Sequence, residues 1–329
     1  MADVTLISRF DALLADLDGV VYAGPAAIPG AIESLQQLAG VGVGLGYVTN
    51  NASRSPAQVA AHLRDLGAPA ADEQVVSSSQ AAADLLASLL PAGAKVLVTG
   101  SAALAHELEL VNLVPVSSQD EDPVAVVQGF DPGLGWKDLA EATYVVNAGA
   151  LWVATNTDMS IPQARGIAPG NGTLVAAVAA ATGQKPRVAG KPEAPLFHSA
   201  AKRLGAERPL VVGDRLDTDI LGGNNAGFAT VAVLTGVDTR ETILAARAVE
   251  RPTYIIGSLP ELFQPYPDVT HDDGTYTCGA ASARVANGAV GVIGSPDSLD
   301  AWRAACAAWW AATPDAASAQ APQLAWLNH

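Results

Sequence analysis

The 329-residue chain is poor in cysteine, in aromatic residues and in long apolar runs. Its two cysteines, Cys278 and Cys306, are too few for a disulfide framework, so we expect two free thiols, although a single bridge between them stays open. No apolar run approaches the ~18 residues that a membrane-spanning helix needs. The first residues have neither the basic nor the apolar region of a secretory signal. These absences predict a cytoplasmic protein without membrane insertion.

Basic residues are also scarce, and this scarcity restricts the partners. Lys and Arg total 18 against 33 Asp and Glu, which gives a net charge of −15. Nucleic acid and anionic membranes repel such a chain unless it carries a basic patch, and the sequence contains none. If the substrate is an anion, the site must therefore create its own positive potential with a metal, a lysine or helix N-termini.

What the chain has in abundance is apolar residues, arranged as alternating strands and helices. Half of the residues are hydrophobic, and the length suggests two domains at about 150 residues each. Short buried strands such as 12–15, 151–154 and 210–212 alternate with helices such as 102–110 and 193–204. This alternation predicts an α/β fold in which helices cover parallel sheets.

The pattern changes after residue 263. Segment 264–273 is rich in Pro and Asp, and short strand-like pieces follow at 275–278, 283–285 and 289–293. A helix predicted over 299–310 places Trp302, Cys306 and Trp309 on one face. We interpret this C-terminal extension as a cover for the core or a subunit interface, with a ligand-binding module as the alternative. An acyltransferase-like module is disfavoured because 66 residues are few and no acyl-CoA loop is present.

The strongest local motif is DLDGVVY, residues 16–22, directly after an apolar strand. Asp16 and Asp18 stand two residues apart at the carboxyl end of that strand, where open α/β sheets build their sites. Burying two carboxylates is costly unless they bind a cation or one is protonated. Taken alone, the motif fits a pair of solvated turn residues equally well.

Three further motifs also follow strands. Thr49 and Asn50 lie in YVTNNASR, residues 47–54, where a strand gives way to a helix and free amides can bind an anion. Lys191 lies between Gly190 and Pro192, before a helix. Each of these features alone is commonly an ordinary cap or a surface lysine.

The last of the three is VVGDRLDTDI, residues 211–220, a buried strand that ends in carboxylates. Asp214 follows its strand immediately, as Asp16 does, and is the natural metal ligand. Asp217 is expected to cap the helix predicted over 217–226. Because the carboxyl ends of parallel strands share one sheet edge, all four motifs are predicted to meet.

In this order the four motifs resemble those of the haloacid dehalogenase superfamily of phosphatases, over about residues 8–265. The resemblance implies that Asp16 is the nucleophile and Asp18 the general acid and base. It further implies that Thr49, Asn50 and Lys191 bind phosphate. Mg²⁺ would be held by Asp16, by the backbone carbonyl of Asp18 and by Asp214, with Asp219 in support.

The chemistry requires these residue types. A phosphate dianion repels a carboxylate nucleophile, and hydrolysis of phosphate monoesters needs up to ~10²¹-fold acceleration. A cation and a lysine cancel that repulsion, and Mg²⁺ prefers oxygen ligands. An acidic chain would thus supply its positive charge through metal and lysine.

Spacing refines the subtype. Only 33 residues separate Asp16 from Thr49, whereas 142 separate Thr49 from Lys191, which leaves room for an inserted α/β domain. Within the superfamily this resembles the type IIA, NagD-like branch with a C2 cap. We therefore predict a Rossmann-like core over 1–83 and 187–263, a cap over 84–186 and an extension over 264–329. Segment 154–166 resembles the substrate-facing loop, where Arg165 could contact a polar substrate tail, with an ordinary exposed surface arginine as the alternative.

Within that branch the sequence most resembles the glycerol 3-phosphate phosphatases, including the C-terminal extension. Phosphoglycolate, nucleotide and pyridoxal phosphate phosphatases share the core motifs and remain alternatives, because substrate choice lies in the cap. A homodimer is expected only by analogy with relatives.

Other classes fit less well. A phosphomutase would carry its cap between the first two motifs, where 33 residues leave no room. The glycine-rich segment 40–46 does not match the dinucleotide-binding fingerprint, which must follow a strand. A non-catalytic sensor of phosphorylated metabolites would be expected to have lost Asp16 or Asp18.

Overall fold

The computed structural model describes residues 4–52, 54–163 and 165–327, and these form an α/β structure. The strands are β1 Ala12–Ala15, β2 Tyr22–Ala23, β3 Ala26–Ala27, β4 Gly44–Thr49, β5 Val75–Ser77, β6 Lys95–Thr99, β7 Val114–Val116, β8 Ala125–Gln128, β9 Leu151–Ala154, β10 Ser160–Gln163, β11 Gly166–Pro169, β12 Arg187–Val188, β13 Pro209–Gly213, β14 Ala229–Val233, β15 Tyr254–Ile256, β16 Val269–Asp272, β17 Thr275–Cys278, β18 Ala281–Ala286, β19 Ala289–Ile293 and β20 Gln323–Leu327. The helices are α1 Ala31–Leu38, α2 Pro56–Asp65, α3 Ser78–Leu89, α4 Ala102–Leu110, α5 Trp136–Asn147, α6 Asn171–Thr182, α7 Pro195–Leu204, α8 Leu221–Asn225, α9 Arg240–Leu244 and α10 Leu299–Ala312. No helix in these ranges has the length and apolarity to cross a membrane.

The chain divides into two compact units. The first comprises Met1–Leu45, Leu66–Pro69 and Ala206–His329, and the second comprises Gly46–Asp65 and Ala70–Gly205. The domain boundaries predicted from the sequence stay a prediction.

The first unit contains a parallel sheet in which β13 lies between β1 and β14, and β14 continues to β15. Every residue of β1 and β13 is buried. Continuous Leu, Val and Ala runs are typical of strands whose two faces are both covered. The register pairs Ala15 with Val212 and brings the ends of β1 and β13 level. The predicted α/β class is confirmed.

The second unit contains a five-stranded parallel sheet in the order β12-β9-β8-β6-β7. Helices α5 and α6 contribute Val145, Val146, Val175 and Val178 to the apolar cluster on this sheet. In the same unit β4 pairs in parallel with β5 from Tyr47 to Thr49. The antiparallel hairpin of β10 and β11 lies between β9 and α6 in the chain.

The C-terminal extension forms a second sheet of the first unit, in the order β16-β17-β18-β19-β20. Strands β16 to β19 are antiparallel, whereas β20 joins β19 in parallel. Helix α10 contributes Trp302 and Cys306 to one apolar cluster that also contains Ile243 and Ile255. The C-terminal extension and the parallel sheet of the first unit therefore share an apolar core. This agrees with the interpretation of the extension as a cover for the core.

Several element boundaries differ from the sequence expectation for local reasons. The sequence also predicts a helix over 28–37, entered through Pro29, but α1 begins only at Ala31, because Gly30 adopts a left-handed φ of 78°. Strands β16 and β20 are not predicted from the sequence, since β16 is exposed at all four positions and carries no apolar alternation. The helix predicted over 217–226 is present from Leu216 to Asn225, but its first five residues, Leu216–Ile220, form a π-helical segment before α8, so Asp217 does not cap it.

Candidate active site

Asp16 and Asp214 lie at one edge of the parallel sheet because each directly follows its strand. The Asp16 amide donates to Val212 O at 3.0 Å and extends the β1–β13 ladder by one residue. Oxygens of Asp16, Asp214 and Asp219 all lie within 4.8 Å of one another, and the last two residues are buried. The first unit thus brings together three of the sequence-predicted carboxylates.

Two glycines and a backbone amide confine the carboxylate of Asp214. Its Oδ2 accepts a hydrogen bond from the Val237 amide at 2.8 Å. A Cβ built at Gly19 or at Gly236 would overlap that same oxygen. Because only glycine leaves this space open, the sequence around both positions sets where the carboxylate lies.

Asp219 is held by the π-helical segment rather than by a regular helix. Its Oδ2 accepts from the Arg215 amide at 3.2 Å, and a Cβ at Gly213 would overlap its side chain. Asp217, expected as a helix cap, instead accepts two hydrogen bonds from the Arg215 guanidinium, at 3.0 and 2.8 Å. This hydrogen-bonded pair raises the pKa of Arg215 above its ordinary value, although burial opposes the shift. The acidic cluster therefore has a permanently charged cation beside it.

Asp18 is exposed and lies in the turn that follows Asp16. The turn depends on Gly19, which has a φ of 77° and whose amide donates to Tyr22 O at 2.8 Å. The hydroxyl of Thr235 donates to Gly19 O at 2.6 Å and ties the turn to the loop after β14.

The three clustered carboxylates fit a divalent cation. They offer hard oxygen donors from three separate positions, which is the donor type that Mg²⁺ prefers. The glycines around Asp214 leave no room for a larger side chain beside its Oδ2. Without a cation, three carboxylates this close would repel one another strongly.

In the second unit, Thr49 ends β4 and is buried, and its Oγ1 accepts from the Asn51 amide at 3.1 Å. Asn50 follows it, and its carboxamide bonds the backbone of Lys191 on both sides. Ser53, the fifth residue of the second motif's polar segment, lies outside the described residues. The structure thus brings the Asn50 side chain and the Lys191 backbone together.

Lys191 is 5% exposed and precedes Pro192 through a cis peptide bond. The Gly190 amide donates to Thr155 O at 2.7 Å. A Cβ at Gly190 would overlap Thr155 O and come within 2.5 Å of Asn50 Oδ1. Glycine before the lysine is therefore required for the backbone to pass this close to its neighbours.

The loop after β9 contributes a carboxylate that sequence reasoning does not single out. Asp158 accepts from Asn50 Nδ2 at 3.2 Å on both oxygens. Arg165, beyond Ala164, which lies outside the described residues, is exposed in the β10–β11 hairpin. The signal for Asp158 is the polar run TNTD directly after a buried strand, at residues 155–158.

Comparison with known proteins identifies the family of this chain. Residues 13–114 match the haloacid dehalogenase-like hydrolases, and residues 188–262 match a second, HAD-hydrolase-like family. The D-glycerol 3-phosphate phosphatase of Mycobacterium tuberculosis is 46% identical over 317 residues, covering 94% of this chain and 88% of that protein. The chain belongs to the haloacid dehalogenase-like hydrolases. The family predicted from the four motifs is confirmed.

Further known proteins are also similar to this chain. The acid sugar phosphatase of Staphylococcus aureus is 38% identical over 257 residues, which cover 78% of this chain and 97% of that protein. The crystal structure of a glycerol phosphate phosphatase from M. tuberculosis in complex with magnesium superposes with a TM-score of 0.88 at 45% identity. That likeness covers 98% of this chain and 95% of the other.

Proposed function

We propose that this chain is a Mg²⁺-dependent phosphatase that hydrolyses glycerol 3-phosphate to glycerol and phosphate. The carboxylate cluster of Asp16, Asp214 and Asp219 carries the proposal, because such a cluster needs a cation and follows the strands that carry the family motifs. The substrate is supported by the 46% identical relative, a D-glycerol 3-phosphate phosphatase.

The cation and the phosphate are assigned to different residues. Asp16, Asp214 and the backbone carbonyl of Asp18 would hold Mg²⁺, with Asp219 in support. When bound, Mg²⁺ would neutralise the negative charge that a phosphate dianion and carboxylates bring together. Thr49 and Lys191 would bind the phosphate oxygens, and Arg165 would contact the remainder of the substrate.

The chain's own residues then divide the reaction into two steps. The Asp16 carboxylate attacks phosphorus and forms an aspartyl-phosphate, while Asp18 gives a proton to the departing glycerol oxygen. Asp18 next takes a proton from the water that attacks the aspartyl-phosphate, which releases phosphate and restores both residues. The exposed position of Asp18 in its turn leaves it open to the leaving group and to water.

The first experiment is phosphate release with Mg²⁺ across a substrate panel. It compares glycerol 3-phosphate, 2-phosphoglycolate, pyridoxal 5′-phosphate, a nucleoside monophosphate, a sugar phosphate and an aryl phosphate, with kcat/KM as the measured quantity. We expect a clear preference for glycerol 3-phosphate. A sugar phosphate is the second candidate, because an acid sugar phosphatase is 38% identical.

The Asp16→Asn variant is the blank, since it keeps the shape of the side chain and removes the nucleophile. We expect no turnover above background. Release that persisted in this variant would refute the assignment of Asp16, and an absence of release from wild-type protein would favour the sensor alternative.

The proposal also covers the cellular compartment and the partners of the enzyme. Both cysteines are free and buried, as expected for a protein of the reducing cytoplasm. A small phosphorylated metabolite is the expected partner, and a homodimer is the expected assembly by analogy with relatives.

A further inference from the structure

The Asn50 side chain is held by protein groups at both ends of its carboxamide. Its Oδ1 accepts from the Lys191 amide at 2.8 Å. Its Nδ2 donates to Lys191 O at 3.1 Å, and also to the Asp158 carboxylate at 3.2 Å. The Asn50 side chain thus binds both the backbone of Lys191, the residue proposed to bind phosphate, and the carboxylate of Asp158 on the loop after β9.

These hydrogen bonds join residues that are far apart in the sequence. Asn50 is 141 residues from Lys191 and 108 from Asp158. A side chain that hydrogen-bonds both the amide and the carbonyl of one residue fixes the orientation of that residue's backbone, because hydrogen bonds are directional and turning either peptide group would break one of the two. The direction in which the Lys191 side chain leaves the backbone therefore depends on Asn50.

Asn50 is itself fixed through its own backbone carbonyl. That oxygen accepts from Asn156 Nδ2 at 2.8 Å and from the Ser78 hydroxyl at 2.7 Å. Asn156 is held in turn by Asn171, whose Nδ2 donates to Asn156 O at 2.7 Å. These three carboxamides are buried or half-buried, so the loss of any one partner would leave a buried polar group without its hydrogen bond, which destabilises the arrangement.

We propose that Asn50 is a positioning residue, which aims Lys191 at the phosphate and fastens the Asp158 loop to it. This role differs from the direct phosphate contact expected from the sequence. It fits the structure better because the hydrogen-bonding atoms of the carboxamide already have protein partners. The inference rests on the proposed function of Lys191.

A donor–acceptor exchange tests the pairing. In Asn50→Asp, an oxygen replaces the donor that faces Asp158 and Lys191 O, so that acceptor meets acceptor. We expect kcat/KM to fall ~100-fold, the size of effect that a misplaced catalytic group produces. Asp158→Asn returns a donor to the same contact, and the double variant should recover at least ~10-fold over Asn50→Asp.

The matched control is Asn50→Ala, which offers no acceptor to the amide group that Asp158→Asn introduces. Asp158→Asn should therefore not rescue it. A double variant Asn50→Asp with Asp158→Asn that shows only the product of the two single effects would overturn the pairing, as would equal rescue of Asn50→Ala.

A second measurement separates positioning from direct contact and does not depend on turnover. Binding of inorganic phosphate with Mg²⁺ is measured by calorimetry in Asn50→Ala, Lys191→Ala and the double variant. If Asn50 acts through Lys191, the double variant binds phosphate as weakly as Lys191→Ala alone. Losses that multiply would show an independent contact and refute the proposal.

Thermal melting of each variant identifies misfolding, and if Asn50→Asp does not fold, the Asn50→Ala and Lys191→Ala series decides the question. Failure of the proposed function gives a different result. A wild-type protein that binds phosphate but releases none from any ester would refute the phosphatase assignment and leave the coupling between Asn50 and Lys191 measurable.

Discussion

At the scale of single residues, Gly236 sets the position of the Asp214 carboxylate. A methyl group there would overlap Asp214 Oδ2, whereas the backbone of Gly236 does not require a left-handed conformation. We therefore expect Gly236→Ala to move the carboxylate and raise the Mg²⁺ concentration for half-maximal activity by ~10-fold or more. The measurement is a Mg²⁺ titration of phosphate release.

Gly40→Ala is the matched control, because nothing lies within 4 Å of a Cβ built there. It should leave the Mg²⁺ titration unchanged. An unchanged titration in Gly236→Ala as well would show that Asp214 is not a metal ligand.

Asp18 is assigned a proton-transfer role, so its loss should slow both steps of the reaction. Asp18→Asn keeps the size of the side chain but neither gives nor accepts the proton, and we expect kcat to fall by roughly 10²–10⁴-fold. Quench-flow with labelled substrate checks which step becomes limiting. Labelled phosphate should accumulate on the protein if breakdown of the aspartyl-phosphate is the slower step, and a kcat near wild type would contradict the role.

The buried thiol of Cys278 makes stability depend on pH in the alkaline range. Burial raises its pKa from an ordinary value near 9 to about 11, and the nearby charge of Asp300 adds to the shift. Between these values the unfolded chain has lost a proton that the folded chain keeps, so the free energy of unfolding falls as pH rises. We expect Cys278→Ala to remove this contribution, at about 1 kcal/mol per pH unit, whereas Cys306, whose pKa burial also raises, keeps its own. Denaturant titrations of both proteins at pH 8 and pH 11 measure it, and parallel losses would contradict the assignment.

Single residues also show how far the sequence predicts the site. Asp16 and Asp214 are predictable because each follows a buried strand, and strand ends in a parallel sheet share an edge. The role of Asn50 cannot be predicted in this way, because the partners of its carboxamide lie 108 and 141 positions away in the sequence. Local rules assign Asp217 to a helix cap, but the guanidinium of Arg215 binds it instead.

At the scale of elements, helix α10 is attached to the parallel sheet by a buried arginine. Arg303 donates twice to Ile255 O of β15, at 3.1 and 2.7 Å. The same guanidinium bonds Asp300 at 2.8 Å and Glu261 at 3.3 Å. Only 8% of the side chain is exposed.

We expect Arg303→Met to lower the free energy of unfolding by about 2–3 kcal/mol, because the carbonyl and two carboxylates lose their donor. Arg284→Met, at an exposed position of β18, is the control and should change stability by less than about 0.5 kcal/mol. Equal effects of the two substitutions in urea titrations would show that the guanidinium does not hold α10.

Element prediction succeeds where apolar periodicity is strong and fails where it is weak. The sequence predicts helix α4 at its observed bounds, and α10 within two residues of its end. Strand β20 alternates only between exposed and half-buried positions, so its apolar signal is weak. Its place beside β19 depends on the partner strand rather than on its own sequence.

At the scale of the whole molecule, the C-terminal extension is part of the core of its unit. Ile243, Leu244 and Ile255 lie in one buried cluster with Trp302 and Cys306. The guanidinium of Arg251 adds a polar attachment, since it bonds the carbonyl oxygens of residues 310 and 313 at 3.2 and 2.7 Å.

We therefore expect a chain ending at residue 263 to lose its fold. Each of the three apolar side chains would become exposed at a cost of about 1.5–3 kcal/mol, a sum comparable with the total stability of a domain. Soluble yield, thermal melting and phosphate release are compared between residues 1–263 and the full chain. The control is residues 1–263 with Ile243, Leu244 and Ile255 replaced by polar residues, which should recover solubility if their exposure is the cause. A truncated chain that melts and turns over like the full protein would show instead that the extension is separable, and its role would then have to be sought in binding.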